Sequence, residues 1–257
     1  MFENEQLNTT LKALRENAPL VHNITNYVVM NTTANALLAV GASPVMAHAL
    51  QEVEDITSIS SSLVVNMGTL STHWVKAMEL AMQKANDLNK PIVFDPVGVG
   101  ASNYRTEVAF KLMEQYKPAV IRGNASEIMA LAKISNSTKG VDSTVSSENA
   151  VAAAQALSQE LKNTIVVSGA VDYIVTDTKI DQVTSGSPIM AKVTGMGCTA
   201  TSIIGACIAV DADHHKASCC AMEIMGSAGN LAEQSANGPG SFQMHFIDAL
   251  HQIVEGK

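Results

Sequence analysis

The chain has 257 residues, 47% of them hydrophobic, 4% aromatic and 16% charged, with a formal net charge of −8. That length and apolar content predict a substantial core and a single domain over residues 1–257, while an acidic chain whose arginines are Arg15, Arg105 and Arg122 offers no basic stripe for nucleic acid. The four cysteines, Cys198, Cys207, Cys219 and Cys220, form no disulfide framework or C-x-x-C pair, which points to a reducing cytoplasm.

The opening "MFENEQLNTTLKALRENAPL" is polar and acidic, unlike a signal peptide. Further on, the apolar run Ile203–Val210 is far below the roughly 20 residues that span a bilayer. Between 19 and 49, "HNITN" gathers polar side chains before a helix and "ASPVMA" reads as a small-residue strand segment. Together they predict a compact pocket with an apolar wall and a few oriented donors, with His22, Asn26 and Met46 as candidates. The plainer alternative is that His22 and Asn26 cap the helix and Met46 fills core.

Four short Val/Ile runs follow: "SLVVNMG" (62–68), "PIVFDPVG" (91–98), "AVIRGN" (119–124) and "TIVVSG" (164–169). Each reads as a buried strand closing on a Gly or Asp/Asn turn. Helical patterns over 72–88, 104–115, 125–133 and 147–161 separate them, so parallel βαβ units are expected. Ligands in such sheets sit beyond the carboxyl ends of the strands, so Gly68, Asp95–Gly98, Arg122–Glu127 and Ser168–Gly169 should converge. Asp95, before Pro96 and two glycines, suits Mg²⁺ held through water. Arg122 lies at a strand end where a guanidinium suits phosphate, and Asn124 and Glu127, one helical turn apart, form either a capping pair or part of the site.

Beyond Ser168, "YIVTD" and "QVTSGS" predict an antiparallel hairpin at a sheet edge. Next comes "KVTGMGCTATSIIGACIAV", where Gly195 and Gly197 turn backbone N–H groups towards one point ahead of a helix. Such a terminus carries about half a positive charge, so it is expected to lower the Cys198 thiol below its ordinary value. Alternatively, Cys198 packs as a small apolar residue. Helices over 215–234 and 242–254 close the chain. The remaining histidines, His48, His73, His214, His215, His245 and His251, show no metal-ligand spacing and read as surface or packing residues.

Over nearly its whole length, through "VHNITNYVVMN", "ASPVMAHA", "NMGTL", "FDPVGVGAS", "RGNASEI", "VVSGAVDYI" and "TGMGCTATS", the chain resembles the hydroxyethylthiazole kinases of the ribokinase-like superfamily. The resemblance implies an α/β three-layer sandwich with a mostly parallel central sheet flanked by helices, and a homotrimer with interfacial sites. It implies ATP-dependent phosphorylation of 5-(2-hydroxyethyl)-4-methylthiazole in thiamine salvage, with Mg²⁺ required. Met46 and Gly195 are then substrate residues, joined by Asn26 and Gly68; Arg122 and Ser168 are ATP residues, joined by Asn124 and Gly197; Asp95 and Glu127 belong to the Mg²⁺ and phosphate region. Related sugar kinases place an Asp where this chain has Cys198, so Cys198 is the candidate base for the substrate hydroxyl. Rival readings are a kinase of another small heterocyclic alcohol, a cysteine hydrolase or transferase built on Cys198, and a nucleotide-binding module without turnover.

Overall fold

Alternate residues of a strand face opposite sides of a sheet, and here both sides are apolar. The computed structural model describes residues 5–134 and 147–256. In chain order the elements are α1 (Glu5–Asn17), β1 (Leu20–Ile24), α2 (Met30–Ala39), β2 (Ser43–Val45), α3 (Val53–Ile59), β3 (Ser62–Asn66), α4 (Thr72–Asp87) and β4 (Ile92–Asp95). Then come α5 (Asn103–Tyr116), β5 (Val120–Asn124), α6 (Ala125–Ile134), α7 (Ser147–Leu161), β6 (Thr164–Ser168), β7 (Asp172–Val175) and β8 (Ile180–Val183). A 3₁₀ turn (Pro188–Lys192) leads to α8 (Met196–Ile208), α9 (His214–Ser235) and α10 (Pro239–Glu255).

The strands form one eight-stranded sheet in the order β2-β1-β3-β4-β5-β6-β7-β8. Pairings from β2 to β6 are parallel; β6–β7 and β7–β8 are antiparallel, which is the edge hairpin expected from the sequence. On one face Val64, Val93, Val120 and Val166 pack with α1, α2, α8, α9 and α10. On the other, Val65, Phe94, Ile121 and Val167 pack with α3 to α7. Helices on both faces of a mostly parallel sheet make the three-layer α/β sandwich. No helix among the described residues is long and apolar enough to cross a membrane.

Helix α8 is apolar nearly all round, as a helix walled in by neighbours must be. It lies against β1, β3 and β4 on one side and α9 and α2 on the other. Its first residues therefore meet the carboxyl ends of the central strands, which places the "TGMGC" turn where the strand-end motifs converge.

Candidate active site

Four neighbouring parallel strands end on polar residues: Asn66 on β3, Asp95 on β4, Asn124 on β5 and Ser168 on β6. Register holds them in rows, with Asn66 opposite Asp95 and Asn124 opposite Ser168. Asp95 is fully buried. Its Oδ2 accepts from Asn66 Nδ2 at 2.8 Å and from Thr201 Oγ1 at 2.7 Å, and faces Arg122 Nη1 at 3.7 Å. Its Oδ1 is buried without a protein partner. Lost hydration pushes the carboxyl up to about 6, against the pull of Arg122 and the two hydrogen bonds.

Arg122 reaches from β5 to the α8 terminus. One of its amino groups donates to Ser168 Oγ, and its Nε is buried without a partner. A Cβ on Gly197 would press into this guanidinium and push Arg122 from its place. Gly195, the N-cap of α8, has φ +87° in the left-handed region, and a side chain on it would also meet Val29 Cγ1 at 2.7 Å.

Asn124 and Glu127 realise the capping reading. Glu127 N–H donates to Asn124 Oδ1 at 3.0 Å, and Asn124 N–H donates to Glu127 Oε2 at 2.8 Å. Glu127 Oε1 meanwhile accepts from Gly98 N–H at 2.8 Å, tying the loop after β4 to α6. Each Glu127 oxygen thus already accepts one backbone donor and retains a second lone pair for a water.

Arg122, Asn124, Ser168 and Gly197 line one cleft of about 830 Å³, whose far wall carries Met222 and Met225. Cys198 points the other way. Its Sγ lies 3.5 Å from Asn26 Nδ2, which also donates to Asn66 Oδ1 at 2.8 Å. The same Asn66 oxygen accepts from Gly68 N–H at 2.9 Å. Asn66 therefore joins Asn26, Gly68 and Asp95. The expected lowering of the Cys198 thiol is not found: burial raises it, the Asp95 charge adds to the rise, and hydrogen bonds from Asn66 and Asn26 offset only part.

Met46 follows β2 directly and is half-buried. Near it in the chain, His48 stacks on Trp74 at 4.2 Å, and Tyr27 meets the same indole edge-on at 4.3 Å. His22 is wholly buried in β1. Its Nε2 meets the Ala47 carbonyl at 2.7 Å and its Nδ1 meets Thr57 Oγ1 at 3.0 Å. Its ring thus fixes the segment after Met46, with both nitrogens engaged by protein groups. Burial lowers it to about 4, so it stays neutral at ordinary pH. Neither His22 nor Asn26 caps α2, whose N-cap is Val29.

Sequence reasoning missed Asn66, Thr201 and Arg105. Asn66 had a signal, a polar residue closing a Val-Val strand; Thr201 had a weaker one, three residues past Cys198 on one helix. Arg105 had none. Its Nη1 donates to the carbonyls of Met67 at 2.5 Å and Val97 at 2.7 Å, and its Nη2 to that of Gly68 at 2.7 Å. The arrangement thus offers a carboxylate with one oxygen free of protein partners, an arginine beside a helix terminus, and a thiol on the opposite side, which suits transfer of an anionic group to a neutral acceptor.

The model of the hydroxyethylthiazole kinase family matches residues 11–256. A protein of Syntrophus aciditrophicus named hydroxyethylthiazole kinase is 52% identical over 95% of this chain and 91% of its own length. The solved structure of a hydroxyethylthiazole kinase from Pyrococcus horikoshii OT3 superposes with a TM-score of 0.90 at 40% identity, over 97% of this chain and 94% of that one. A ribokinase-like superfamily protein from Enterococcus faecalis shares the fold, at a TM-score of 0.67 and 15% identity over 100% of this chain and 91% of that one.

Proposed function

The chain belongs to the hydroxyethylthiazole kinase family, and on that footing we propose how its residues divide the work. The reaction is phosphorylation of the primary alcohol of 5-(2-hydroxyethyl)-4-methylthiazole by ATP. We assign ATP to the cleft at Arg122, Asn124, Ser168 and Gly197, and the thiazole alcohol to the opposite side of the α8 terminus, against Met46, Asn26, Gly68 and Gly195. One observation carries this reading: Gly197 lines the cleft beside Arg122, while the next residue, Cys198, turns its sulfur to Asn26. Donor and acceptor then meet at one helix N-terminus, whose free N–H groups favour the transferring phosphate.

Cys198 is assigned as the base. Phosphoryl transfer is loose, so the hydroxyl keeps its proton until the new O–P bond is largely made, and a modest base suffices. That role needs the thiolate, which burial makes the minor form in the free chain. Asp95 and Glu127 are assigned to Mg²⁺, through water. The unpartnered Asp95 Oδ1 and the spare Glu127 lone pairs suit a hard, oxygen-seeking cation that retains waters. When bound, Mg²⁺ neutralises charge on the phosphates.

We further read residues 1–257 as one ribokinase-like domain, working in the cytoplasm as a homotrimer in thiamine salvage. Tyr27 and Val28, directly after Asn26, are 66% and 63% exposed, and such apolar residues beside the site favour a subunit contact there. The test of the assignment is ADP release with Mg²⁺-ATP and three acceptors: the thiazole alcohol, hydroxymethylpyrimidine and pyridoxal. Turnover confined to the thiazole and abolished by chelation is expected. Turnover confined to another acceptor would keep the phosphate side and overturn the pocket assignment at Met46.

A further inference from the structure

We propose that Asp181, His215 and Cys219 form a binding site for a zinc-class divalent cation that joins the edge strand β8 to α9. His215 and Cys219 are four residues apart on α9 and therefore share one face of the helix. β8 runs alongside, and its Asp181 Oδ2 lies 2.7 Å from His215 Nε2. One ligand atom from each of the three residues falls within 4.8 Å of the other two. Tetrahedral zinc, with bonds of about 2.0–2.3 Å, holds its ligand atoms roughly 3–4 Å apart. The cluster thus needs only a small outward shift of Asp181, whose side chain is 61% exposed, while His215 at 6% is held in the fold.

The donor set selects the ion. An imidazole and a thiolate with one carboxylate suit zinc and not Mg²⁺ or Ca²⁺, which seek oxygen. An Asp–His hydrogen bond accounts for two of the three residues and leaves the thiol beside them without a role. Three protein ligands leave a fourth position to water, and the thiol proton departs to solvent on coordination. Among the described residues β8 has a strand neighbour on only one side, so the ion would pin that edge of the sheet. No single sequence segment carries all three ligands, which is why spacing alone does not reveal them.

The proposal does not rest on the kinase reading, and its test reads metal directly. The full chain is stripped with a chelator, then loaded by dialysis with zinc for elemental analysis or with cobalt for the thiolate-to-metal absorption band. Cys198→Ser serves as control, because Cys198 and the carboxylates near it also attract cations. The expected result is a cobalt–thiolate band and one retained zinc in the wild type and in Cys198→Ser. Both should be lost in Cys219→Ser, and Asp181→Asn, an exposed change that spares the fold, should bind zinc at least about tenfold more weakly. A wild type without the band, a band that survives Cys219→Ser, or unchanged affinity in Asp181→Asn would overturn the site.

Discussion

Asp95 holds a carboxyl group out of contact with bulk solvent. Two hydrogen bonds and the Arg122 charge favour the ionised form at one oxygen and none serves the other, yet burial outweighs them and pushes the carboxyl up to about 6. Because this value lies above the unfolded 3.8, the native chain binds the extra proton between the two, and stability from this group falls as pH rises through that window, levelling above about 6. Asp95→Asn removes the buried charge and is expected to raise the melting temperature, by roughly 2–4 °C for each kcal/mol recovered. The same change should cost roughly 10- to 100-fold in kcat, as loss of a group that orients a metal's waters does. Thermal melts and steady-state rates on one preparation check both; a variant both less stable and fully active would contradict the account. In the wild type, kcat/KM, which reports the free enzyme, should fall below about pH 6.

At the scale of elements, the loops matter more than the strands that end in them. Arg105, on α5, binds carbonyls in the loops after both β3 and β4, and so sets the backbone around Gly68 and Val97. A lysine has one ammonium and cannot span three carbonyls held by a planar fork. Arg105→Lys is therefore expected to lower kcat/KM for the acceptor by as much as about 10²-fold, the cost of a small misplacement, with KM and kcat both moving. Unchanged kinetics would show that the loops hold their shape without it. Much of this layer was legible in the sequence: the four Val/Ile strands and the helices after them fall close to their expected limits, α7 ending at the expected Leu161. β1 was not legible as a strand, because His22 and Asn23 interrupt its apolar run and are accepted in the interior through contacts distant in sequence, His22 with the Ala47 carbonyl and Asn23 Oδ1 with Ser202. Helices α1 and α3 were missed as well, α3 because 7 residues are too few to show a period, whereas α2 is the helix expected after "HNITN". In the site, residues inside glycine-bearing motifs could be read, whereas Arg105 could not, since backbone carbonyls leave no mark in sequence. The direction of the Cys198 shift also depended on burial, which no local motif encodes.

For the whole molecule, the exposed Tyr27 and Val28 lie at the rim of the proposed acceptor pocket, so assembly and catalysis should be linked. Sedimentation or light scattering is expected to give a particle three times the 27.1 kDa chain. Dilution that dissociates it should lower the rate per chain, and a fully active monomer would refute interfacial sites.

The most direct test of the central claim, that Cys198 takes the proton of the acceptor alcohol, is the pH dependence of kcat in wild type, Cys198→Asp and Cys198→Ser. With its thiol raised above 9.0 by burial, the wild type should gain rate steadily from neutral pH upward. Cys198→Asp, already ionised at neutral pH, should match or exceed it there with a flat profile. Cys198→Ser should be flat and slower by up to about 10²-fold, the low end of what a general base supplies. Three profiles of the same shape and height would contradict base catalysis by this side chain.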